Sequence, residues 1–486
     1  MGHNQNTPII DAVTKYVNDW TVRFHMPGHK GAPVMEGLIG RLIGNRAFAA
    51  DVTNVPGMDD LHQAQSVIKE AQELAAQTFG ADRTYFLVNG SSCGLQALIM
   101  AVCGPGDKLL VPRNMHRSIL SGIILTGAVP IFYRPEYDSH FAIPLSTSPD
   151  TIEYYTSRHP DIKAVVLVNP TYHGIVSDIS AISCITRRLN IPLLVDEAHG
   201  PHLRFHEELP RPSLDEGADA AVQGTHKMLS ALTQASMLHL KGSKVDPDRV
   251  ESALRLLQST STSYLLLSSL DATRSQMSSN GREILQGSLE LAFYLRKEIM
   301  ALEGFSLLEA EREGIFGLDP TKITISLRDL KISGFWSEQW LREKHSIQVE
   351  MSDMFNLLLI VTHGNFKVHA VRFLESLRDM KKHREGREDP GPFNNWEEKY
   401  FMPEVPKQAI TPREAFWTPW SAVTLLEARG RICSETIACY PPGIPIICPG
   451  EVITGGIVDY LLLMKNMGAH FQGCQDPLLR TVRVIR

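Results

Sequence analysis

Residues 192–200 read PLLVDEAHG and residues 220–227 read AAVQGTHK, and these two segments decide the fold. Each is a short apolar run without strict alternation, closed by polar groups: Asp196 in the first, Thr225, His226 and Lys227 in the second. A strand covered on both faces reads this way, because neither face meets water. Working outward, TYFLV (84–88), KLLVP (108–112), VPIFY (129–133), KAVVLV (163–168) and SMLHL (236–240) repeat the pattern, mostly flanked by Gly, Pro, Asn or Asp. Between them, CGLQALIMAV (93–102) and ISAISCITRRL (179–189) carry apolar residues at helical spacing. The alternation predicts an α/β fold with a mostly parallel sheet. Ligands of such sheets collect beyond the carboxyl ends of the strands.

At 486 residues, 43% hydrophobic and 21% charged, the chain has ordinary globular composition and length for two or three domains. A net charge of -6 gives no basic excess to recommend a nucleic-acid partner. Mean hydropathy is -0.10, and no uninterrupted apolar run reaches the ~20 residues of a membrane helix. The start, MGHNQNTPIIDAVTKY, lacks the features of a secretory signal, so a cytoplasmic location is expected. Seven scattered cysteines do not form a secreted disulfide framework. Cys433, Cys439 and Cys448 match no common zinc spacing and read as buried thiols, so no metal is expected; a redox pair of Cys433 with Cys439 stays open.

Beyond the first region, STSYLLLSSLDATRSQMSS from Ser261 precedes a long helix expected over Gly281–Gly304. Strands near Lys322–Leu327 and Leu357–Val361, with a helix between, predict a smaller α+β region. Lys381–Pro406 reads as an exposed connection, and apolar runs punctuated by Pro and Gly resume from Thr411. The expected division is an N-terminal segment (1–40), a large α/β domain (41–290), a small α+β domain (291–385) and a C-terminal region (386–486).

Four features carry chemistry. Lys227 closes a sheet strand, where a partly desolvated amine can bond an aldehyde cofactor; alone it would read as a surface lysine. Asp196 also closes a strand, where a buried carboxylate can pair with a protonated ring nitrogen, or simply cap the next turn. Asn89-Gly90-Ser91-Ser92-Cys93-Gly94 joins a strand to a helix and offers N–H groups and hydroxyls to a phosphate, although a tight turn needs no more. His116, in NMHRS, can stack on an aromatic ring, though lone histidines are usually ordinary polar residues. Their order along the chain is more specific than any one of them.

With these parts in place the chain resembles the Orn/Lys/Arg decarboxylases, pyridoxal-phosphate enzymes of the aspartate-aminotransferase fold type. The resemblance spans nearly the whole chain and rests on FHMPGHKG (from Phe24), DVTNVPGMDDLH (from Asp51), NGSSCG, NMHRS, NPTYHG (from Asn169), VDEAHG, THK, SIQVEMSD (from Ser346) and YPPGIPIICPGE (from Tyr440). It implies pyridoxal 5'-phosphate held by Lys227, with Asp196 on the pyridine nitrogen, His116 on the ring face and Ser91 and Ser92 on the phosphate. Thr225, His226 and His199 are implied beside the cofactor, and Glu350 and Asp353 beside the basic side chain of the substrate. The chain departs at Gly224, where relatives often carry serine, and at His199, where some carry tryptophan. The lost phosphate contact would fall to Thr225, or to Thr260 and Ser261 of a second copy. The implied activity is decarboxylation of arginine or lysine, less so ornithine, in polyamine metabolism. The chain reads as a short form without an extra N-terminal domain, working as a homodimer or higher homo-oligomer with no nucleic acid or membrane partner. Another pyridoxal-phosphate reaction, or a catalytically silent homologue, is the alternative.

Overall fold

The computed structural model describes residues 6–19, 21–31, 38–385, 403–440 and 443–486. Residues 386–402 of the expected connection, and Pro441 and Pro442 of YPPGIP, lie outside the described residues. The chain divides into two compact units: residues 1–102, 194–207 and 211–283 form the first, and residues 103–193, 208–210 and 284–486 the second.

In the first unit the sheet order is Arg83–Leu87, Ser236–Leu240, Ala220–Gln223, Leu193–Asp196. Every residue of the last three strands is buried, which is why they lack alternation. Leu193–Asp196 and Ala220–Gln223 run parallel, with Asp196 opposite Val222, so the residues following both strands emerge at one end. Ser236–Leu240 instead lies antiparallel to both of its neighbours. Residues 224–235, whose only helix is Thr225–Met228, turn the chain back on itself, whereas a parallel return needs a longer crossover. The helix Gly90–Val102 sits close on this sheet: a Cβ at Gly94 would fall 2.6 Å from Leu87 Cδ1 and 3.0 Å from Val222 Cγ1.

The long helix starts at Tyr264, earlier than expected, and ends at Met300, with a non-helical break at Asn280. Serines weaken helical reading because their hydroxyls compete for backbone groups. Here burial overrides them: Tyr264, Leu267, Leu270 and Met277 lie in the core. A buried pair completes that face, Arg274 donating to Asp271 at 2.6 Å while Asp271 also accepts from Ile9 N at 2.9 Å.

The second unit holds the parallel strands Ile162–Val168, Lys108–Pro112 and Val129–Tyr133, in that order. It also holds an antiparallel sheet ordered Ser306–Leu307, Lys322–Ser326, Asn356–Ile360, Met351–Ser352. The helix Gly334–His345 lies between its two longer strands in sequence, as expected, and Trp340 and Leu341 of that helix join its core. Further on, Ile437–Tyr440 pairs with Ile444–Ile447 and His470–Gln472 around a core of Ile453, Ile457, Val458 and Leu461.

One buried ion pair fastens this C-terminal part to the strand Lys108–Pro112. Arg113, the next residue, donates to Glu451 Oε1 at 2.6 Å and Oε2 at 2.8 Å, and to Ile446 O at 2.8 Å. Glu451 also accepts from Cys448 N at 2.7 Å, and the Cys448 thiol lies 3.4 Å from the guanidinium. Both side chains are buried, 4% and 0% exposed. Removing one partner strands the other charge away from water. Glu451→Ala is therefore expected to lose about 3–5 kcal/mol of stability, read by urea unfolding, whereas an exposed pair would lose under ~1 kcal/mol.

Candidate active site

Within the first unit, the turn after Leu193–Asp196 and the helix after Ala220–Gln223 bring the predicted residues together. Lys227 Nζ lies 2.9 Å from His199 Nε2. Asp196 is buried; desolvation raises its carboxyl pKa, and the nearby Lys227 ammonium draws it back down. Ala198 N donates to Asp196 Oδ1 at 3.2 Å, leaving the other carboxylate oxygen for a second donor. The His226 Nδ1–H donates to Ala235 O at 2.9 Å, and burial lowers the pKa of that ring, so it stays neutral at pH 7. Thr225 is fully buried and its hydroxyl has no hydrogen-bond partner. Ser91 and Ser92 stand in the first turn of Gly90–Val102, where the backbone N–H groups have no intrahelical acceptor. Gly90 starts that turn at φ +79°, a conformation costly to any side chain. Asn89 Oδ1 accepts from Ser259 N at 3.3 Å, holding the neighbouring Thr260 and Ser261 near the loop; both are exposed.

The remaining predicted residues belong to the second unit. His116 caps the helix Arg117–Thr126, its Nδ1 accepting from Ser118 N at 3.2 Å, and its ring is exposed. Glu350 is exposed and accepts from the Tyr172 hydroxyl at 3.1 Å. Burial and the adjacent Glu350 both raise the Tyr172 phenol. Asp353 is differently employed. Its Oδ1 accepts from Phe355 N and Asn356 N, each at 2.8 Å, and desolvation raises its carboxyl to about 6. It organises the tight turn between Met351–Ser352 and Asn356–Ile360.

Two groups escaped the sequence reading. Tyr172 was visible only as a letter of NPTYHG, and its partner lies 178 residues away. Glu197 was visible only as a neighbour of Asp196. It is fully buried, accepts from Ser213 N and Gln223 Nε2 at 2.7 Å each, and is pushed up to about 7 by burial. Gln223 Oε1 in turn takes the Nε2–H of His239 at 3.1 Å, and His239 Nδ1 meets the Thr84 hydroxyl at 2.8 Å. Burial holds His239 down to about 3, so the ring is neutral and its tautomer fixed by these partners. This polar chain ties neighbouring strands together.

A lysine just past one strand, a buried carboxylate closing its parallel neighbour and a glycine-started helix define an α/β chain of the aspartate-aminotransferase fold type. Solved structures share the fold: the lysine decarboxylase LdcF of Francisella novicida matches with TM-score 0.84 at 23% identity, over 100% of this chain and 82% of that one. The constitutive lysine decarboxylase of Escherichia coli matches with TM-score 0.83 at 24% identity, over 99% and 82%. The chain belongs to the Orn/Lys/Arg decarboxylase family: residues 7–369 match its major domain and residues 395–478 its C-terminal domain. It is 40% identical to a Bacillus subtilis protein named arginine decarboxylase, over 99% of this chain and 98% of that one. A protein of that name from Halalkalibacterium halodurans is 39% identical, over 100% and 99%.

Proposed function

We propose that this chain decarboxylates a basic amino acid, arginine foremost, using pyridoxal 5'-phosphate held by Lys227. The observation that carries the reading is the Lys227 amine 2.9 Å from His199 and coupled to the buried carboxylate of Asp196. The donor set fits the cofactor. The unpartnered Thr225 hydroxyl, the Ser91 and Ser92 hydroxyls and the open helix N–H groups suit a phosphate, and Asp196 suits a protonated ring nitrogen. When bound, the cofactor supplies the electron sink that takes up the pair left at Cα as carbon dioxide departs.

The protein's own residues do the rest. Asp196, kept from water, would hold a proton on the ring nitrogen, and His116 would be the residue to cover a ring face. Lys227 would return a proton to Cα, with the neutral His226, its ring N–H held by Ala235 O, standing beside it. Glu350 receives the cationic head group, with Tyr172 aiming its carboxylate, while Asp353 holds the turn that presents it. Arginine is favoured because relatives of that name share about 40% of their residues with this chain, whereas the constitutive lysine decarboxylase of Escherichia coli shares 26%. The product would be agmatine, a polyamine precursor. We extend the proposal to a homodimer at work in the cytoplasm.

Carboxyl-labelled arginine tests the reaction: labelled carbon dioxide and agmatine in equal amounts are expected, and a keto acid without label release would identify an aminotransferase instead. Glu350→Gln should raise KM for arginine on the order of 10-fold with kcat within a few-fold, the mark of lost ground-state binding.

A further inference from the structure

We infer that His199 is a catalytic residue, the base that takes a proton from the Lys227 ammonium and makes its amine a nucleophile. The inference rests on the reading of Lys227 as the cofactor lysine and assigns a separate task to its neighbour. Two nitrogens 2.9 Å apart share a proton, so one of them offers the other a lone pair. An ordinary lysine, with a pKa of about 10.4, is an ammonium at neutral pH and is no nucleophile until a base removes a proton.

The contact is built, not incidental. His199 is 6% exposed and lies in the turn between Asp196 and Gly200. That turn is pinned by Glu197 N donating to Val222 O at 3.0 Å, Gly200 N to Glu197 O at 2.9 Å and Gly224 N to Ala198 O at 3.2 Å. Gly224 lets it approach. A Cβ there would stand 2.8 Å from Ala198 O and 3.1 Å from Lys227 Cδ, pushing the His199 turn and the lysine stem apart. The two departures noted in the sequence, Gly224 and His199, thus belong to one arrangement. Among the described residues of this unit, Asp196, His226 and His199 bear on the amine. Asp196 favours its charge from the strand, His226 on its own helix stays neutral with Nδ1 occupied by Ala235 O, and His199 offers the base.

The proton balance is simple. The electron pair of one N–H bond stays on Nζ while the proton moves to His199 Nε2. Nζ then uses that pair to bond an aldehyde carbon. A second proton leaves Nζ as the C=N bond forms, and the aldehyde oxygen, having received both protons through His199, departs as water.

The test follows capture of pyridoxal 5'-phosphate by cofactor-stripped protein, mixed rapidly across pH 6–9 and read by absorbance. Pyridoxine 5'-phosphate, which has an alcohol where the cofactor has its aldehyde, reports the shape of the pocket alone. His199→Gln is expected to slow capture at least ~10-fold at pH 7 and to move the rising limb of the rate profile to higher pH. Any loss of affinity for pyridoxine 5'-phosphate should be several-fold smaller than the loss of capture rate, and an unchanged circular-dichroism spectrum shows that the variant is folded. In His199→Ala, added imidazole should restore part of the rate. Capture by His199→Gln at the wild-type rate and with the wild-type profile would overturn the role, as would an equal loss of pyridoxine 5'-phosphate binding. Wild-type protein that captures no cofactor would instead defeat the reading of Lys227.

Discussion

Lys227→Ala is expected to leave a folded protein with no measurable amine production from arginine, lysine or ornithine. The side chain is only partly buried, on a four-residue helix, so its loss removes little packing. What disappears is the amine that meets His199 and balances Asp196. Borohydride should fix a cofactor adduct onto the wild-type chain, located at Lys227 by mass spectrometry, and none onto the variant. Normal turnover by Lys227→Ala would remove the basis of the proposed chemistry.

Asp196→Ala should separate binding from rate. The groups proposed for the phosphate, Ser91, Ser92, Thr225 and the start of Gly90–Val102, are untouched, so part of the cofactor is expected to stay bound. The rate should fall on the order of 10³-fold, because a preorganised buried carboxylate is lost from the site where charge develops. The measurement is kcat at saturating cofactor, with bound cofactor quantified in the same sample. A decline of only a few-fold would mean that Asp196 merely caps the turn through Ala198 N.

Much of this arrangement is legible in the sequence, and the illegible remainder has physical causes. PLLVDE and AAVQ read as strands because burial on both faces removes alternation. The same runs are silent on direction, so the antiparallel setting of Ser236–Leu240 emerged only with the short return through residues 224–235. The first half of the long helix was masked by serines whose local preference the buried Leu267 and Leu270 overrule. Asp196 and Lys227 announce themselves by standing at strand ends. Contacts made across long stretches of chain do not. Arg113 and Glu451 are 338 residues apart, and Tyr172 and Glu350 are 178 apart. Nor does the sequence show why residue 224 is glycine. That answer is crowding, with Ala198 O and the lysine stem occupying the space a side chain would need.

This chain is a basic amino acid decarboxylase, for which we propose arginine as the favoured substrate. The most direct measurement is a competition: purified protein with pyridoxal 5'-phosphate and equimolar arginine, lysine and ornithine in one vessel, with agmatine, cadaverine and putrescine quantified over time. Agmatine in excess, matched by carbon dioxide, is the predicted result. No amine at all from protein that holds its cofactor would contradict it.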